Sequence, residues 1–365
     1  MRALAPVALA CALALLAYPS QRKKKDEETQ TLQLPKDLPA SVMGDTRHLT
    51  FLVTPLSARG LLSQQVRDGL KALQHMAGSD RVLKIRAFVA GSGDLRRVRD
   101  LVSEVFTDHK QPLPVLSLIR AGGLPLESAQ VEMEAWVAAR RELNPHGIAL
   151  ISAQPATSAN PLDPVAPLTE KTLATLAERV KLAGSEAADV MRVTCFLSSL
   201  DNAGASRKLV EGAYPKAAID VVQTQRAPFE ALAACEAVTR LRTDPGAPLK
   251  MLSAAGAPAG ESAIALVNAP QVVLTGTQIS FGYQPADTRL AFDRLSRQLQ
   301  AEGVSMHDVA FAHYYPLSSG IAEQVRKARG EFFDEAQPPA ASLLLFEGLP
   351  SMDAGFAVDV VAVKR

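Results

Sequence analysis

Two glutamates separated by one residue are the first candidates for chemistry. In the segment AQVEMEAWVA, Glu132 and Glu134 alternate with Val131, Met133 and Ala135. Because successive side chains of a strand point to opposite faces, both carboxyl groups lie on one face. Such a pair can supply general acid–base catalysis if a pocket raises the pKa of one member. The alternative, which the sequence favours, is that both are solvated strand carboxylates.

The histidines offer no metal site by their spacing. None of the pairs is four residues apart on a predicted helix, as a helical metal motif requires; the histidines considered are His75, His109, His146, His307 and His313. His313 lies in an apolar strand, so we predict a hydrogen-bonded core or interface residue rather than a catalyst. No metal and no cofactor are expected.

The glutamates belong to a helix–strand–strand segment, Asp94 to Arg141. Its apolar residues recur at three- and four-residue steps, which predicts a helix with one buried face; they are Leu95, Val98, Leu101, Val102, Val105 and Phe106. Pro112 and Pro114 end that helix because proline has no amide hydrogen. Two strands follow, PVLSLIRAG and AQVEMEAWVA, joined by a predicted Leu124-Pro125 hairpin.

The same order of elements recurs three times. The glycines at predicted helix ends, Gly78, Gly184 and Gly303, are separated by 106 and 119 residues. Prolines in the last turn, at 125, 228 and 350, are separated by 103 and 122 residues. Two landmarks at near-equal intervals indicate a domain-sized repeat, which we place at residues 45–142, 143–245 and 246–365. We predict an α/β (α+β) fold of three units packed as an intramolecular pseudo-trimer, sheets inside and helices outside.

Composition and the N-terminal segment bear on partners and location. Lys+Arg number 39 and Asp+Glu 38 in 365 residues, giving a net charge of +1 that provides no field for nucleic acid. The apolar run Ala3–Ala17 predicts a signal peptide over residues 1–20, followed by a disordered linker over 21–44. We therefore expect a periplasmic or secreted protein with no stable membrane span after cleavage. The alternative is a membrane anchor formed by an uncleaved N-terminus.

Two cysteines remain once Cys11 of the apolar run is set aside. In an exported protein Cys195 and Cys235 can pair, but two buried single thiols are the favoured interpretation.

Several segments together resemble the RidA family, also called YjgF. They are PVLSLIRAGGLPLESAQVEMEAWV in the first repeat, MRVTCFLSSL in the second, and LTGTQIS, DVAFAHYYPLS and QPPAASLLLFEGLP in the third. The resemblance implies chorismate-mutase-like units that usually form a homotrimer, with ligand pockets between subunits. It also implies cofactor-free hydrolysis of enamines or imines to 2-keto acids and ammonia. This chain would then be a trimer fused into one polypeptide and a monomer in solution.

The family's carboxylate-binding arginine is absent from all three repeats. The matching positions, two residues after a proline, hold Leu116, Ala217 and Ala341. An uncharged side chain does not reproduce bidentate guanidinium–carboxylate binding. Arg120, four residues further along the first of these strands, is a candidate substitute.

Other family positions are kept in part. The glutamate that positions water matches Glu132, whereas the second and third repeats have Ala234 and Ala357. Two repeats keep the character of the Ser-Gly-Gln-like turn, whose backbone amides suit an anionic group; these are Ser152, Ala153, Gln154 and Gly276, Thr277, Gln278. We therefore predict a degenerate RidA-like protein that binds a small carboxylate or imine or acts as a scaffold. The alternative is a hydrolytic 2-iminobutanoate/2-iminopropanoate deaminase with Glu132 as its catalytic residue.

Overall fold

The computed structural model describes residues 35–254, 261–334 and 336–365. The predicted signal peptide and most of the predicted linker lie outside the described residues.

Repeat 1 contains β2 (Leu49–Val53), α1 (Leu62–Ala77), β3 (Arg81–Val89), α2 (Leu95–Asp108), β4 (Val115–Arg120) and β5 (Val131–Ala138), and is preceded by β1 (Ser41–Asp45). Repeat 2 contains β6 (Ile148–Ser158), α3 (Val165–Leu182), β7 (Val190–Leu197), α4 (Ala203–Ala213), β8 (Ala218–Gln223) and β9 (Ala231–Arg240). Repeat 3 contains β10 (Leu249–Leu252), β11 (Ile264–Val267), β12 (Gln271–Thr275), β13 (Gln278–Phe281), α5 (Pro285–Ala301), β14 (Val309–Pro316), α6 (Ser319–Arg329), β15 (Ala340–Leu343) and β16 (Ala354–Lys364).

Each repeat builds its sheet with the same strand order. The orders are β2-β5-β3-β4, β6-β9-β7-β8 and β12-β16-β14-β15. In repeat 1, β3 pairs with β4 in parallel and with β5 in antiparallel orientation. The hairpin predicted between β4 and β5 is therefore wrong. Helix α2 forms the crossover connection from β3 to β4, so β4 lies parallel to β3 along one edge. β5 pairs with the other edge of β3.

Strands at the repeat boundaries extend the sheets of other repeats. β1 pairs with β12 of repeat 3, and β11 pairs with β6 of repeat 2 while β10 pairs with β11. Residues 41–44, assigned by sequence to the linker, thus lie in a strand that is held by backbone pairing with β12. A Cβ on Gly147 would lie 2.0 Å from the Val267 carbonyl oxygen, so the close approach of β11 to the start of β6 requires glycine.

The helix ends follow the sequence prediction. Gly78, Gly184 and Gly303 adopt φ angles of 57°, 76° and 76°. A positive φ angle carries no steric penalty for glycine, which is why glycine is common just after a helix. The prediction that these three glycines lie at helix ends is confirmed.

The buried apolar residues separate into outer and inner clusters. Three outer clusters each lie between the helices and the sheet of one repeat, and the cluster of repeat 2 also includes Ala263, Ile264 and Leu266 at β11. Two inner clusters take residues from all three sheets; in one of them the Phe88 and Phe196 rings lie 6.0 Å apart and the Phe196 and Phe346 rings 5.7 Å apart. The three sheets therefore meet at the centre with the helices outside, as the pseudo-trimer prediction requires.

Cys195 and Cys235 form a disulfide, so the favoured prediction of two free thiols is wrong. They are register partners on β7 and β9 with their Cα atoms 4.1 Å apart. Both lie in the outer core of repeat 2. Separately, none of the helices in the described ranges is long and apolar enough to cross a membrane.

Candidate functional site

A cavity of about 490 Å³ lies between repeats 2 and 3. Repeat 2 contributes β6 and α3, and repeat 3 contributes β14, α6 and the chain leading into β15. Its polar lining residues are Ser152, Gln154, Arg179, Glu261, Ser262, Tyr314, Arg326, Arg329 and Asp334. This cavity, which we call the cationic cleft, brings three guanidinium groups together.

Arg179 fixes the predicted Ser152–Gln154 segment. One of its terminal nitrogens donates to the Ser152 carbonyl oxygen at 2.8 Å, and the other donates to Gln154 Oε1 at 2.8 Å. The Arg179 side chain is buried, and this burial lowers its pKa from the ordinary value. The neighbouring Ala153 amide donates to Ser342 Oγ of β15, in repeat 3, at 3.0 Å. The segment is thus held on both sides.

Arg326 and Arg329 lie three residues apart on α6, so they project from neighbouring positions of one helix face. Arg329 forms an ion pair with Glu261 at 2.5 Å. Arg326 contacts Glu323 at 3.5 Å on the exposed side of the helix. Because that exposed pair is weak, the Arg326 guanidinium can exchange it for an anion in the cleft.

Tyr314 adds a neutral donor to the cationic cleft. Its side chain is 1% exposed, and its hydroxyl makes no hydrogen bond within the described part of the chain. Burial raises the pKa of Tyr314 well above its ordinary value, so the hydroxyl keeps its proton. A buried hydroxyl without a partner costs free energy, which a ligand acceptor in the cavity would recover.

The resemblance to the family did not predict a role for four of the lining residues, Arg179, Tyr314, Arg326 and Arg329. Ala341, at the position of the family's arginine, does line the cleft. However, the positive charge comes from α3 and α6, and not from the strand. One signal was available: Arg179 lies three residues after Leu176 and directly before Val180, among the buried residues of α3.

The second predicted tripeptide lies in a different cleft. Gly276, Thr277 and Gln278 line a smaller cavity of about 260 Å³ between repeats 1 and 3, together with Leu116. A Cβ on Gly276 would lie 2.8 Å from the Leu116 carbonyl oxygen. The two predicted turns are therefore not brought together, and each belongs to its own pair of repeats.

Arg120 and Glu132 lie outside the lining of both clefts. The Arg120 guanidinium donates to the carbonyl oxygens of Gly91 and, at 2.9 Å, Gly93, where it fixes the loop before α2. Glu132 is 1% exposed on the inner face of β5. The interpretation of Glu132 and Glu134 as solvated carboxylates is wrong, because the other two sheets cover that face.

Glu134 belongs to a charged layer at the centre of the molecule. Equivalent register positions in the three repeats pair Arg86 with Glu134, Thr194 with Glu236, and His313 with Asp359. Lys84 and Arg192 complete this set, which we call the central polar layer. All eight side chains are buried. Lys84, Arg86 and Arg192 therefore face three carboxylates, which compensates the buried charge of the layer.

The contacts of the central polar layer join the repeats. Arg86 Nε lies 2.6 Å from Glu134 Oε1 within repeat 1, and Arg86 Nη2 lies 2.7 Å from Glu236 Oε1 in repeat 2. Lys84 Nζ lies 2.5 Å from Asp359 Oδ1 in repeat 3. His313 bridges Asp359 and Glu236, each at 3.0 Å, as the predicted hydrogen-bonded core residue. The repeats differ at these positions, so their order around the centre is specified.

Glu132 lies next to a second carboxyl group, that of Asp220 of β8. Both carboxyl groups are buried. Burial, followed by the proximity of Asp220, raises the pKa of Glu132 well above its ordinary value. Burial also raises the pKa of Asp220, to about 6, although its hydrogen bond with Glu132 opposes the rise. Two adjacent buried carboxyl groups do not both ionise, so this pair keeps a proton near neutral pH.

Comparison with known proteins gives only structural matches. No family model and no curated protein matches the sequence. A YjgF/YER057c/UK114 family member from Mycobacterium tuberculosis is 19% identical, with 32% of this chain and 99% of that chain covered and a TM-score of 0.24. A YjgF family protein from Neisseria meningitidis is 17% identical, with 32% and 95% covered and a TM-score of 0.25. A Rid family protein from Yersinia pestis is 17% identical, with 26% and 80% covered and a TM-score of 0.24.

Proposed function

We propose that the chain is a small-carboxylate-binding protein built from three RidA-like repeats, with its principal site in the cationic cleft. In this proposal the family's strand arginine has been lost from every repeat. Arg326 and Arg329 of α6 bind the carboxylate in its place, and Tyr314 supplies a further hydrogen bond.

The convergence of charge in one cavity supports this proposal. Arg179, Arg326 and Arg329 outnumber the acidic lining residues Glu261 and Asp334 by one positive charge. Arg179 is already bound to the backbone and side chain of the Ser152–Gln154 segment. Arg326 has the guanidinium whose protein contact is weakest, so it is the first candidate for a bidentate contact with a carboxylate.

Arg326→Met is expected to weaken binding of 2-oxobutanoate by roughly tenfold or more, because hydrogen bonds to charged groups contribute about 1.5–3 kcal/mol. Methionine keeps much of the side-chain length and helix propensity while removing the charge. Isothermal titration calorimetry at low ionic strength measures the affinity.

Lys327→Met is the matched control, because Lys327 is a neighbouring exposed cation of α6 that does not line the cleft. It should leave the affinity unchanged. Equal losses in the two variants would mean that binding depends on general charge and would contradict the assignment.

The deaminase alternative has one observation in its favour, the raised pKa of Glu132. A carboxyl group that stays protonated near neutral pH can act as a general acid. However, Glu132 contacts Asp220 inside the protein and lines neither inter-repeat cleft. We therefore expect ammonia release from freshly generated 2-iminobutanoate to proceed at the uncatalysed rate. Turnover by the wild-type protein that Glu132→Gln abolishes would establish the deaminase instead.

We also propose that the protein is exported and works as a monomer. The Cys195–Cys235 disulfide supports export, because disulfides persist in oxidising compartments. The inner faces of the three sheets cover one another within one chain, which removes the surface that would recruit further copies. Cell fractionation followed by a solution-mass measurement tests both points; a cytoplasmic protein or an obligate trimer of chains would contradict them.

A further inference from the structure

A second cavity, of about 570 Å³, adjoins the cationic cleft. Its lining is mainly apolar; the apolar side chains are Pro155, Ala159, Pro228, Phe229, Leu232, Ala322, Leu343, Leu344 and Leu345. Phe229 is 86% exposed at this cavity, although an aromatic ring of that size is usually covered. We call this cavity the apolar groove.

The cationic cleft and the apolar groove are consecutive parts of one channel beside α6. Arg326 lines both cavities. Ser319, Ala322, Arg326 and Arg329 follow at steps of three, four and three residues, so a single face of α6 runs along the channel. The chain along and just after β6 also passes from one cavity to the other: Ser152–Gln154 line the cleft, and Pro155 and Ala159 line the groove.

Polarity is segregated along that channel. Arg179, Arg329 and the unpartnered Tyr314 hydroxyl lie at one end. The three leucines 343–345 and Phe229 lie at the other. A ligand with a single charged group and no apolar tail would leave the groove uncovered, whereas a neutral apolar ligand would leave the arginines without an anion.

We propose that the ligand is an amphipathic monocarboxylate with an unbranched apolar chain. Its head binds Arg326, Arg329 and the Tyr314 hydroxyl, and its tail lies over Ala322 towards Leu343–Leu345 and Phe229. This inference rests on the proposed carboxylate-binding function and adds the substrate class. Glu230 also lines the groove, so a second carboxylate at the tail end is repelled and a dicarboxylate is disfavoured.

Calorimetric titration of wild-type protein with butanoate, octanoate, octanedioate and octan-1-ol tests the proposal. Each methylene buried completely contributes about fourfold in affinity. Because the groove is open on one side, we expect octanoate to bind at least about tenfold more tightly than butanoate. Octanedioate and octan-1-ol should both bind more weakly than octanoate.

Phe229→Ala locates the tail. Phe229 is exposed, so its removal does not disturb the core; octanoate should lose several-fold in affinity while butanoate is unchanged. Phe281→Ala is the control, since Phe281 is 54% exposed and lines neither cavity.

The outcomes separate this inference from the proposed function. Equal affinities for butanoate and octanoate would overturn the amphipathic ligand and leave carboxylate binding intact. Octan-1-ol binding as tightly as octanoate would overturn the carboxylate head. No binding of either acid would overturn both proposals. Loss of octanoate affinity in Phe281→Ala but not in Phe229→Ala would place the tail outside the groove and contradict the proposal.

Discussion

Glu236→Ala is expected to lower the free energy of unfolding by about 3–5 kcal/mol, because it leaves buried cations without their carboxylate. Glu236 Oε1 lies 2.7 Å from Arg86 Nη2, 3.0 Å from Arg192 Nη2 and 3.0 Å from His313 Nε2. Burial opposes ionisation of Glu236, but Arg86, His313 and Arg192 outweigh it and hold its pKa well below the ordinary range. The carboxylate therefore stays charged at neutral pH and balances Arg86 of repeat 1 and Arg192 of its own repeat.

Urea denaturation at pH 7 measures this effect. Glu170→Ala is the control, since Glu170 is exposed on α3 of the same repeat; it should change the stability little. Glu236→Gln should fall between the two, because it keeps the shape and loses the charge. A Glu236→Ala protein as stable as wild type would show that the central polar layer does not hold the repeats together.

Asp220→Asn is expected to change the pH dependence of stability by about 3 kcal/mol between pH 4 and pH 8. Burial raises the folded-state pKa of Asp220 to about 6, whereas an unfolded aspartate titrates near its ordinary value of about 3.9. A folded pKa above the unfolded one gives a stabilising contribution that is complete below about pH 4 and lost as pH rises through about 6. The wild-type protein therefore loses stability between pH 4 and pH 8 as Asp220 ionises. Asparagine does not ionise, so the Asp220→Asn protein lacks this loss.

Denaturation of both proteins at pH 4, 6 and 8 gives the stability difference directly. The difference should move in favour of Asp220→Asn as pH rises, with most of the change complete by pH 7. Asp201→Asn, at an exposed position of the same repeat, is the control for the change of side chain. A constant offset for Asp220→Asn would mean that the Glu132–Asp220 pair does not share a proton.

The periodicity of apolar residues predicted the helices and strands well, because it shows which face of each element is apolar. Val131, Met133, Ala135 and Val137 of β5 do pack under α1 and α2. The same pattern could not say what covers the opposite face. Glu132 and Glu134 face charged strands of other repeats rather than water. The sequence of one strand does not show which other strands will cover it.

The strand pairing and the geometry of the site could not be predicted from the sequence, because both depend on the tertiary structure. Alternation in β4 and β5 did not indicate that β3 lies between them. The cysteines of the disulfide are separated by 40 residues, and register alone makes them neighbours. Likewise Arg179 and Arg326 come from different repeats, and the packing of α3, β6 and α6 brings them to one cavity.

Hydrogen exchange with and without saturating 2-oxobutanoate tests the central claim, that the cationic cleft between repeats 2 and 3 is the binding site. We predict slower exchange in peptides covering 150–158 and 319–334, with no change in peptides covering 38–45 and 274–281. Protection confined to the second pair of peptides would place the site between repeats 1 and 3, where Leu116 and Gly276–Gln278 lie. That result would contradict the account.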